Sequence, residues 1–230
     1  MQKTNGSTAA AARLDKVSKV YETAATKITA LERMSWEVRP GEAVALMGPS
    51  GCGKTTILNL LGGMDRPTSG DIWVNGANVA CMTERQLEHY RLRQVGFVFQ
   101  FLNLIPSLSA IENLELPMLI AGTPPDERRT RADTLLETVG LREKAFKRPE
   151  ELSGGEQQRV AVCLALVNDP PIILADEPTG NLDSNNARII SKMLIDLAES
   201  RGKTVIMASH DPKVVEQFHR VYRMRDGAIE

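Results

Sequence analysis

Residues 48 to 55 read GPSGCGKT and match the pattern G-x-x-x-x-G-K-[ST] in full. An apolar run, EAVALM at 42–47, precedes this segment, and TTILNLLGG at 55–63 follows it with helical spacing. Glycines let successive backbone N–H groups point toward an anion, and the positive end of the following helix faces the same place. The alternative is a glycine-rich turn from strand to helix that binds no phosphate and is followed by Lys and Thr by coincidence. The residues we assign to a phosphate-binding loop are Gly48, Pro49, Ser50, Gly51, Cys52, Gly53, Lys54, Thr55 and Thr56.

Two acidic residues follow a second apolar run. IILADEP at 172–178 places Asp176 and Glu177 at the carboxyl end of a predicted buried strand, where ligands bind in open α/β sheets. Asp176 is a candidate magnesium ligand, and Glu177 is a candidate general base. Solvated residues that simply end a strand are the alternative interpretation. His210 follows another buried strand, so its ring is expected at the same edge, either as a structural residue or as a γ-phosphate partner.

A second glycine-rich segment, LSGGEQQRV at 152–160, also resembles an anion cradle. Ser153 is placed as a helix N-cap, and Gly154 and Gly155 leave the first N–H groups of the predicted helix open. The alternative is an ordinary capping box formed by Ser153 and Glu156. One domain thus carries two candidate phosphate sites almost a hundred residues apart.

Composition restricts the possible classes of protein. The chain has 230 residues, a formal net charge of -1 and 42% hydrophobic residues, so it can bury a core and offers no broad attraction to nucleic acid. The three cysteines, Cys52, Cys81 and Cys163, form no C-x-x-C pair, which fits a reducing cytoplasm. No apolar run approaches the ~18 residues of a membrane helix. Residues 1–13 are expected to form a flexible N-terminal arm outside the fold.

The pattern of elements predicts an α/β fold. Apolar runs of the buried parallel-strand type alternate with amphipathic helices, and the central part of the chain contains mostly helix-like segments. His89 and His219 lie in polar, helix-like surroundings and receive no role. The predicted strands are 42–47, 66–76, 93–100, 172–175 and 204–209, the predicted helices include 124–141 and 185–200, and 220–230 is predicted to be a hairpin with its turn at Asp226 and Gly227.

The phosphate loop, LSGGEQQRV, IILADEP, NLD at 181–183 and SHD at 209–211 occur in the order of the ATP-binding-cassette (ABC) ATPases, and the chain resembles that family from residue 14 to its end. The resemblance implies a P-loop NTPase cassette with a mainly parallel core sheet and an antiparallel β subdomain. It places the core at about 14–100 and 169–230 and an inserted helical subdomain at about 101–168. Family members usually carry arginine where this chain has Leu164.

The resemblance also implies how the two cradles are used. Two cassettes meet head to tail, and the second cradle of one closes over ATP and Mg²⁺ held by the phosphate loop of the other. Two helix ends at roughly +0.5 each, Lys54 and Mg²⁺ then total about +4, which matches an ionised triphosphate. By resemblance, Gln100 senses magnesium and γ-phosphate, and Asp183 lies at the dimer interface. Tyr21 matches the aromatic residue that stacks on adenine, and a tyrosine in the core of a strand is the alternative. The implied catalytic residues are Glu177, His210 and Lys54, and the implied metal residues are Thr55, Gln100 and Asp176.

The segments FVFQFLNLIPSLSAIENLELPML, GGMDRPTSG and NDPPIILADEPTGNLDS are similar to the branch of lipoprotein-release, macrolide-export and cell-division ATPases. This similarity implies an integral membrane partner and a location on the cytoplasmic side of the inner or plasma membrane, with no nucleic-acid partner. The apolar stretch 101–120 is a candidate groove for that partner or ordinary subdomain core. A kinase or GTPase would lack LSGGEQQRV, and a DNA-repair ABC ATPase would need a long insertion. A regulatory cell-division type of ATPase remains the alternative.

Overall fold

The computed structural model describes residues 10–22 and 26–230, which form two β-sheets and seven α-helices. Strand β1 begins at Ala12, where the side chain is 1% exposed. The prediction of a loose arm at 1–13 was therefore wrong for its last residues, because the antiparallel pairing with β2 starts at Ala12. The rest of that predicted arm, residues 1–9, lies outside the described residues.

The core sheet has six strands in the order β10-β9-β3-β8-β7-β6. All neighbouring strands are parallel except the pair β9 and β10, which forms the predicted hairpin at Asp226 and Gly227. The parallel strands end together at one edge of the sheet, where Met47 pairs with Ser209 and Asp176 pairs with Ala208. The strands are β3 Ala43–Met47, β6 Val95–Val98, β7 Ile172–Asp176, β8 Thr204–Ser209, β9 Arg220–Arg225 and β10 Ala228–Ile229.

Both faces of the core sheet are buried, which explains why its central strands are continuous apolar runs. Side chains alternate between the faces of a strand. Ala43 and Ala45 join the hydrophobic cluster that contains the helical subdomain, whereas Val44 and Leu46 join the cluster around α1 and the antiparallel sheet. The core sheet therefore lies between two hydrophobic cores. Packing on both faces fixes the positions of the strand ends.

The antiparallel sheet has the order β2-β1-β4-β5. Its strands are β1 Ala12–Glu22, β2 Lys27–Val38, β4 Ser69–Val74 and β5 Ala77–Asn78. Leu14, Leu31 and Ile72 point from it into the cluster around α1 and are each at most 1% exposed. This sheet thus covers the face of the core that carries the phosphate-binding loop.

The helices are α1 Lys54–Leu61, α2 Glu84–Arg93, α3 Ala110–Ile120, α4 Pro125–Thr138, α5 Gly154–Leu166, α6 Ser184–Arg201 and α7 Pro212–Val215, with short 3-10 turns at Val79–Cys81, Arg142–Lys144 and Pro149–Glu151. Helices α1, α2, α5, α6 and α7 contact strands of the core sheet, and α3 and α4 contact each other and α5. Within residues 10–22 and 26–230, no helix is both long and apolar enough to cross a membrane.

Residues 101–168 contain α3, α4 and α5, but α5 also packs on the core sheet. A Cβ at Gly96 of β6 would collide with the carbonyl of Ala165 in α5, so this helix crosses the strand at close range. Leu164, the departure from the family pattern, is partly buried and packs against the cluster of the helical subdomain. Pro117 lies inside α3 and does not end it. The helix-like interpretation of His219 was wrong, because this residue lies in the bend before β9.

Candidate functional site

The phosphate-binding loop leaves β3 at Met47 and enters α1 at Lys54, as its sequence predicts. Gly53 has φ 104, a left-handed backbone conformation that glycine adopts without strain. The ammonium of Lys54 is buried, and its Nζ donates to the carbonyl oxygens of Gly48 at 2.7 Å and Pro49 at 3.0 Å. A positive charge is therefore held inside the loop, beside the N-terminus of α1.

The carboxylates at the end of β7 face this lysine. Asp176 Oδ1 accepts a hydrogen bond of 3.2 Å from the Thr55 hydroxyl, and Glu177 Oε1 lies 3.9 Å from Lys54 Nζ. Burial raises the pKa of Asp176 above its ordinary value and the charge of Glu177 adds to this rise, against the hydrogen bond from Thr55. The charge of Lys54 also opposes this rise in the Asp176 pKa, so burial is its main cause.

The Glu177 carboxylate is placed by both its backbone and His210. Glu177 has φ 45, which costs a non-glycine residue about 1–3 kcal/mol. The conformation is held because the Glu177 N–H donates to the Ala208 carbonyl at 2.9 Å and its carbonyl accepts from the Gly180 N–H at 3.1 Å. Its Oε2 lies 2.9 Å from Nδ1 of His210. In this conformation, the Glu177 side chain lines the cavity beside the loop.

A cavity of about 320 Å³ lies at this edge of the core sheet. Residues from the loop, from the end of β6 and from the ends of β7 and β8 share it. Its lining consists of Ser50, Gly51, Gly53, Lys54, Thr55, Thr56, Gln100, Glu177 and His210. The structure therefore brings together all three predicted catalytic residues and six more of the residues predicted to bind the nucleotide.

The residues present suit magnesium bound together with a phosphate. Within the described parts of the chain, no group of three or more His, Cys, Asp and Glu side chains could hold a metal ion without further ligands. Thr55 and Asp176 offer one hydroxyl and one carboxylate oxygen within 3.2 Å of each other. Mg²⁺ prefers such oxygen ligands and completes its shell with water and substrate phosphates.

Tyr21 lies near this cavity without lining it. It is 40% exposed, and its hydroxyl donates to Asp65 Oδ2 at 2.9 Å. Lys19 also bonds Asp65 and lies 4.8 Å from the centre of the Tyr21 ring. These contacts fix an exposed aromatic ring, which suits stacking on a flat base better than the alternative of a buried core tyrosine.

The second cradle lies elsewhere in the chain. Ser153 caps α5 and forms a capping box with Glu156, so the structural interpretation of this pair is correct. Neither residue is among those that line the phosphate-loop cavity. A Cβ at Gly154 would meet nothing within 4 Å, and the first turn of α5 is open there. The Lys144 ammonium bonds Glu156 at 2.6 Å and is the main reason that the pKa of Glu156 falls to about 2.

A family model described as ABC transporter matches residues 31–180. The chain belongs to this family. It is 49% identical to an uncharacterized ABC transporter ATP-binding protein of Thermotoga maritima over 93% of this chain and 91% of that protein. It is 43% identical to the lipoprotein-releasing system ATP-binding protein LolD of Pseudomonas fluorescens over 93% of this chain and 94% of that protein.

Solved structures show the same cassette. The ATP-binding cassette MJ0796, a dimer in a post-hydrolysis state bound to ADP and Pi, matches with a TM-score of 0.88 and 41% identity over 95% of this chain and 96% of that chain. The predicted P-loop NTPase fold is thus confirmed. The chain is an ATP-binding subunit that hydrolyses ATP, as members of its family do.

Some contacts of the phosphate-binding loop were not predicted from the sequence. They join the loop to β2 and to the C-terminal hairpin. The Gly227 N–H, in the turn of the C-terminal hairpin, donates to the Cys52 carbonyl at 3.1 Å. A Cβ at Gly227 would lie 2.6 Å from the Ala30 carbonyl oxygen, and a Cβ at Gly53 would lie 2.8 Å from the same atom. The loop is therefore packed between β2 and the hairpin. The only signal in the sequence was the Asp-Gly turn, which predicts a hairpin but not its contact.

We predict that Gly227→Ala weakens ATP binding by roughly tenfold, because the hairpin must move away from Ala30 and displace the loop. Gly76→Ala is the matched control. Gly76 has φ 81 and Gly227 has φ 78, both in hairpin turns, but a Cβ at Gly76 meets nothing within 4 Å. Backbone strain should cost both variants roughly 1–2 kcal/mol of stability, and the collision with Ala30 should add to the loss in Gly227→Ala. Equilibrium binding of a fluorescent ATP analogue, with thermal unfolding, checks this, and equal ATP affinity of the two variants would refute it.

Proposed function

We propose that this chain works as a head-to-tail homodimer that closes around two Mg-ATP molecules and moves an integral membrane partner. The observation that carries the proposal is the separation of the two cradles. Ser153–Glu156 form an open, capped helix N-terminus that does not line the cavity of the chain's own phosphate loop. A second copy of the chain can supply that missing side, and the similar cassette MJ0796 is itself dimeric.

In this proposal, the chain's own loop binds the ATP triphosphate. Backbone N–H groups of the loop and the N-terminus of α1 face the phosphates, and Lys54 exchanges its carbonyl partners for phosphate oxygens. Thr55 and Asp176 would hold Mg²⁺, which neutralises phosphate charge when bound, and Gln100 contributes from the end of β6. Tyr21 offers its ring to adenine.

Glu177 acts as the general base for the attacking water. Its carboxylate lies in the cavity and already has two basic neighbours, Lys54 and His210. When Lys54 turns to the phosphates, Glu177 is free to accept a proton from water. His210 is 62% exposed in its side chain and can rotate from Glu177 toward the γ-phosphate. The groups that bind ATP and the group that takes the proton are therefore different residues.

A single chain lacks sufficient positive charge for this task. Lys54 and one helix end supply roughly +1.5 next to a triphosphate with about four negative charges, and Mg²⁺ adds two more. The N-terminus of α5 from a second copy, with Gly154 open, adds a further partial charge and excludes water. Dimer closure thus completes the electrostatics of each site.

The membrane partner is proposed to dock beside α2 and the end of α3. A surface cleft there is lined by Arg85, Glu88, His89, Arg91, Leu92 and Ile120. Phe101 is 76% exposed and Ile120 is 68% exposed in the apolar stretch 101–120. The similarity to LolD supports lipoprotein release or export as the work done, and a regulatory role of the cell-division type is the alternative. Co-purification of the partner and the size of its extracytoplasmic domain would separate the two.

We predict that Glu177→Gln lowers the rate of ATP hydrolysis about 10²–10⁴-fold, because the amide keeps the shape of the carboxylate but cannot accept the proton. ATP binding should persist, and a closed dimer should accumulate with ATP, visible by size-exclusion chromatography. Hydrolysis at the wild-type rate would show that Glu177 is not the base.

Ser153→Arg should leave ATP affinity of the isolated chain nearly unchanged and should prevent the ATP-dependent dimer. The large cation fills the open side of the second cradle. Thr83→Arg is the matched control, since Thr83 caps α2 with the same type of capping box and is exposed. Both variants should lose about 1 kcal/mol of stability from the lost cap. Loss of ATP binding by the monomeric Ser153→Arg chain would contradict action across an interface.

Ile120→Glu should abolish co-purification of a permease-type membrane protein with the tagged chain from detergent-solubilised membranes, because a charge would replace an exposed apolar contact. ATP hydrolysis by the isolated chain should stay within about twofold of wild type, since the substitution is on the surface. Ile28→Glu, at 61% exposure on β2, is the control and should keep the partner. Equal recovery of the partner with both variants would place docking elsewhere.

A further inference from the structure

Asn186 lies in the first turn of α6, three residues after Asp183. Asp183 caps this helix, and its Oδ1 accepts from the backbone N–H groups of Asn185 at 2.9 Å and Asn186 at 3.0 Å. Its other oxygen, Oδ2, accepts from the Asn186 side-chain amide at 2.5 Å. Both oxygens of the Asp183 carboxylate are therefore engaged, and the side chain of Asn186 fixes the second of them.

The same amide of Asn186 packs against the second cradle. A Cβ at Gly155 would collide with Asn186 Oδ1 and would lie 2.6 Å from Asn186 Cγ. A separation below 3.0 Å is one that real Cβ atoms essentially never show, so only glycine at 155 admits the amide in this position. Gly155 is buried, while Gly154 before it is exposed and open. The two glycines thus differ in their contacts. Gly154 leaves the helix N-terminus open, and Gly155 makes room for the Asn186 side chain.

We propose that Asn186 is a positioning residue for ATP hydrolysis that holds the second cradle and Asp183 in one fixed arrangement, so that both meet the other copy together. The inference rests on the proposed head-to-tail dimer. The two segments come from helices α5 and α6, and Asn186 contacts a residue in each of them. A shift of either segment by a fraction of an ångström would misplace donors that act only in the closed site.

Two substitutions at this position separate its contacts from folding. Asn186→Ala removes both the packing on Gly155 and the hydrogen bond to Asp183, and alanine is a good helix former. Asn186→Asp keeps the shape but places a carboxylate against Asp183, although acidic residues in a first helical turn usually stabilise the helix. Neither change is expected to unfold the chain. Asn185→Ala is the matched control, because Asn185 contributes its backbone N–H to the cap and its side chain is exposed.

Steady-state hydrolysis, together with ATP binding by the isolated chain, tests the proposal. Asn186→Ala and Asn186→Asp should lower kcat by about tenfold and leave the Kd of the monomer for ATP within about twofold, while Asn185→Ala should match wild type in both. In the Glu177→Gln background, the ATP-dependent dimer of the Asn186 variants should need a higher protein concentration. A wild-type kcat in both Asn186 variants would overturn the role of Asn186 and leave the dimer proposal intact.

Mixed dimers distinguish positioning across the interface from a general structural defect. One copy carries Glu177→Gln, so that it still binds ATP but only the site on its partner's phosphate loop hydrolyses it, covered by the second cradle of the Glu177→Gln copy. Asn186→Ala should lower turnover when it is in the Glu177→Gln copy and should not when it is in the active copy. Equal loss in both arrangements would overturn the proposal. If wild-type turnover per chain did not rise with protein concentration, the dimer proposal and this inference would both fail.

Discussion

The site depends on one constraint, which is that β3, β7 and β8 are parallel neighbours whose carboxyl ends meet at the same edge of the core sheet. Each of these strands delivers a different part of the chemistry there. β3 leads into the phosphate-binding loop, β7 ends at Asp176 beside Glu177, and β8 leads to His210. Because the two faces of the sheet pack into two different cores, a one-residue change in the register of a strand would move each side chain to the wrong core. The apolar core therefore sets the distances between groups far apart in sequence.

Much of this arrangement could be predicted from the sequence, because each part is encoded by adjacent residues. The glycines, Lys54 and Thr55 occur in one loop, and the apolar runs before Gly48, Asp176 and His210 place those residues at strand ends. Capping is also local, since the Ser153 side chain bonds a backbone N–H only three residues along the chain. Local errors arose where tertiary contacts decide the conformation. Ala12 joins β1 because β2 pairs with it, and His219 lies in a bend because its N–H donates to the Ala43 carbonyl of β3 just before β9 begins.

The contacts between distant segments could not be predicted, since nothing near either partner encodes them. Gly227 meets Cys52 across most of the chain, and Gly155 meets Asn186 between two helices. In both cases only glycine lets the two segments approach so closely. The sequence shows only a turn signal at Gly227 and only a helix cap before Gly155. Likewise, Tyr21 is oriented by Asp65, which follows α1. Such long-range contacts determine the exact positions of the functional groups, whereas the sequence motifs determine only which groups are present.

The contacts of Lys54 give the proposed mechanism its starting point, because they keep both Lys54 and Glu177 engaged with groups of the chain itself. The ammonium is satisfied by two loop carbonyls and is near the Glu177 carboxylate, which in turn contacts His210. Burial of a lysine without such partners would carry a large desolvation penalty, so these contacts stabilise the loop. In the proposed mechanism, triphosphate binding draws Lys54 away, and Glu177 loses a positive neighbour as the phosphates gain one. The substrate itself would then release the base, whereas the charge that stabilises the transition state would be completed only by the proposed second copy. That proposal therefore separates ATP binding from ATP hydrolysis, and the interval between them is the step at which force would pass to a membrane partner.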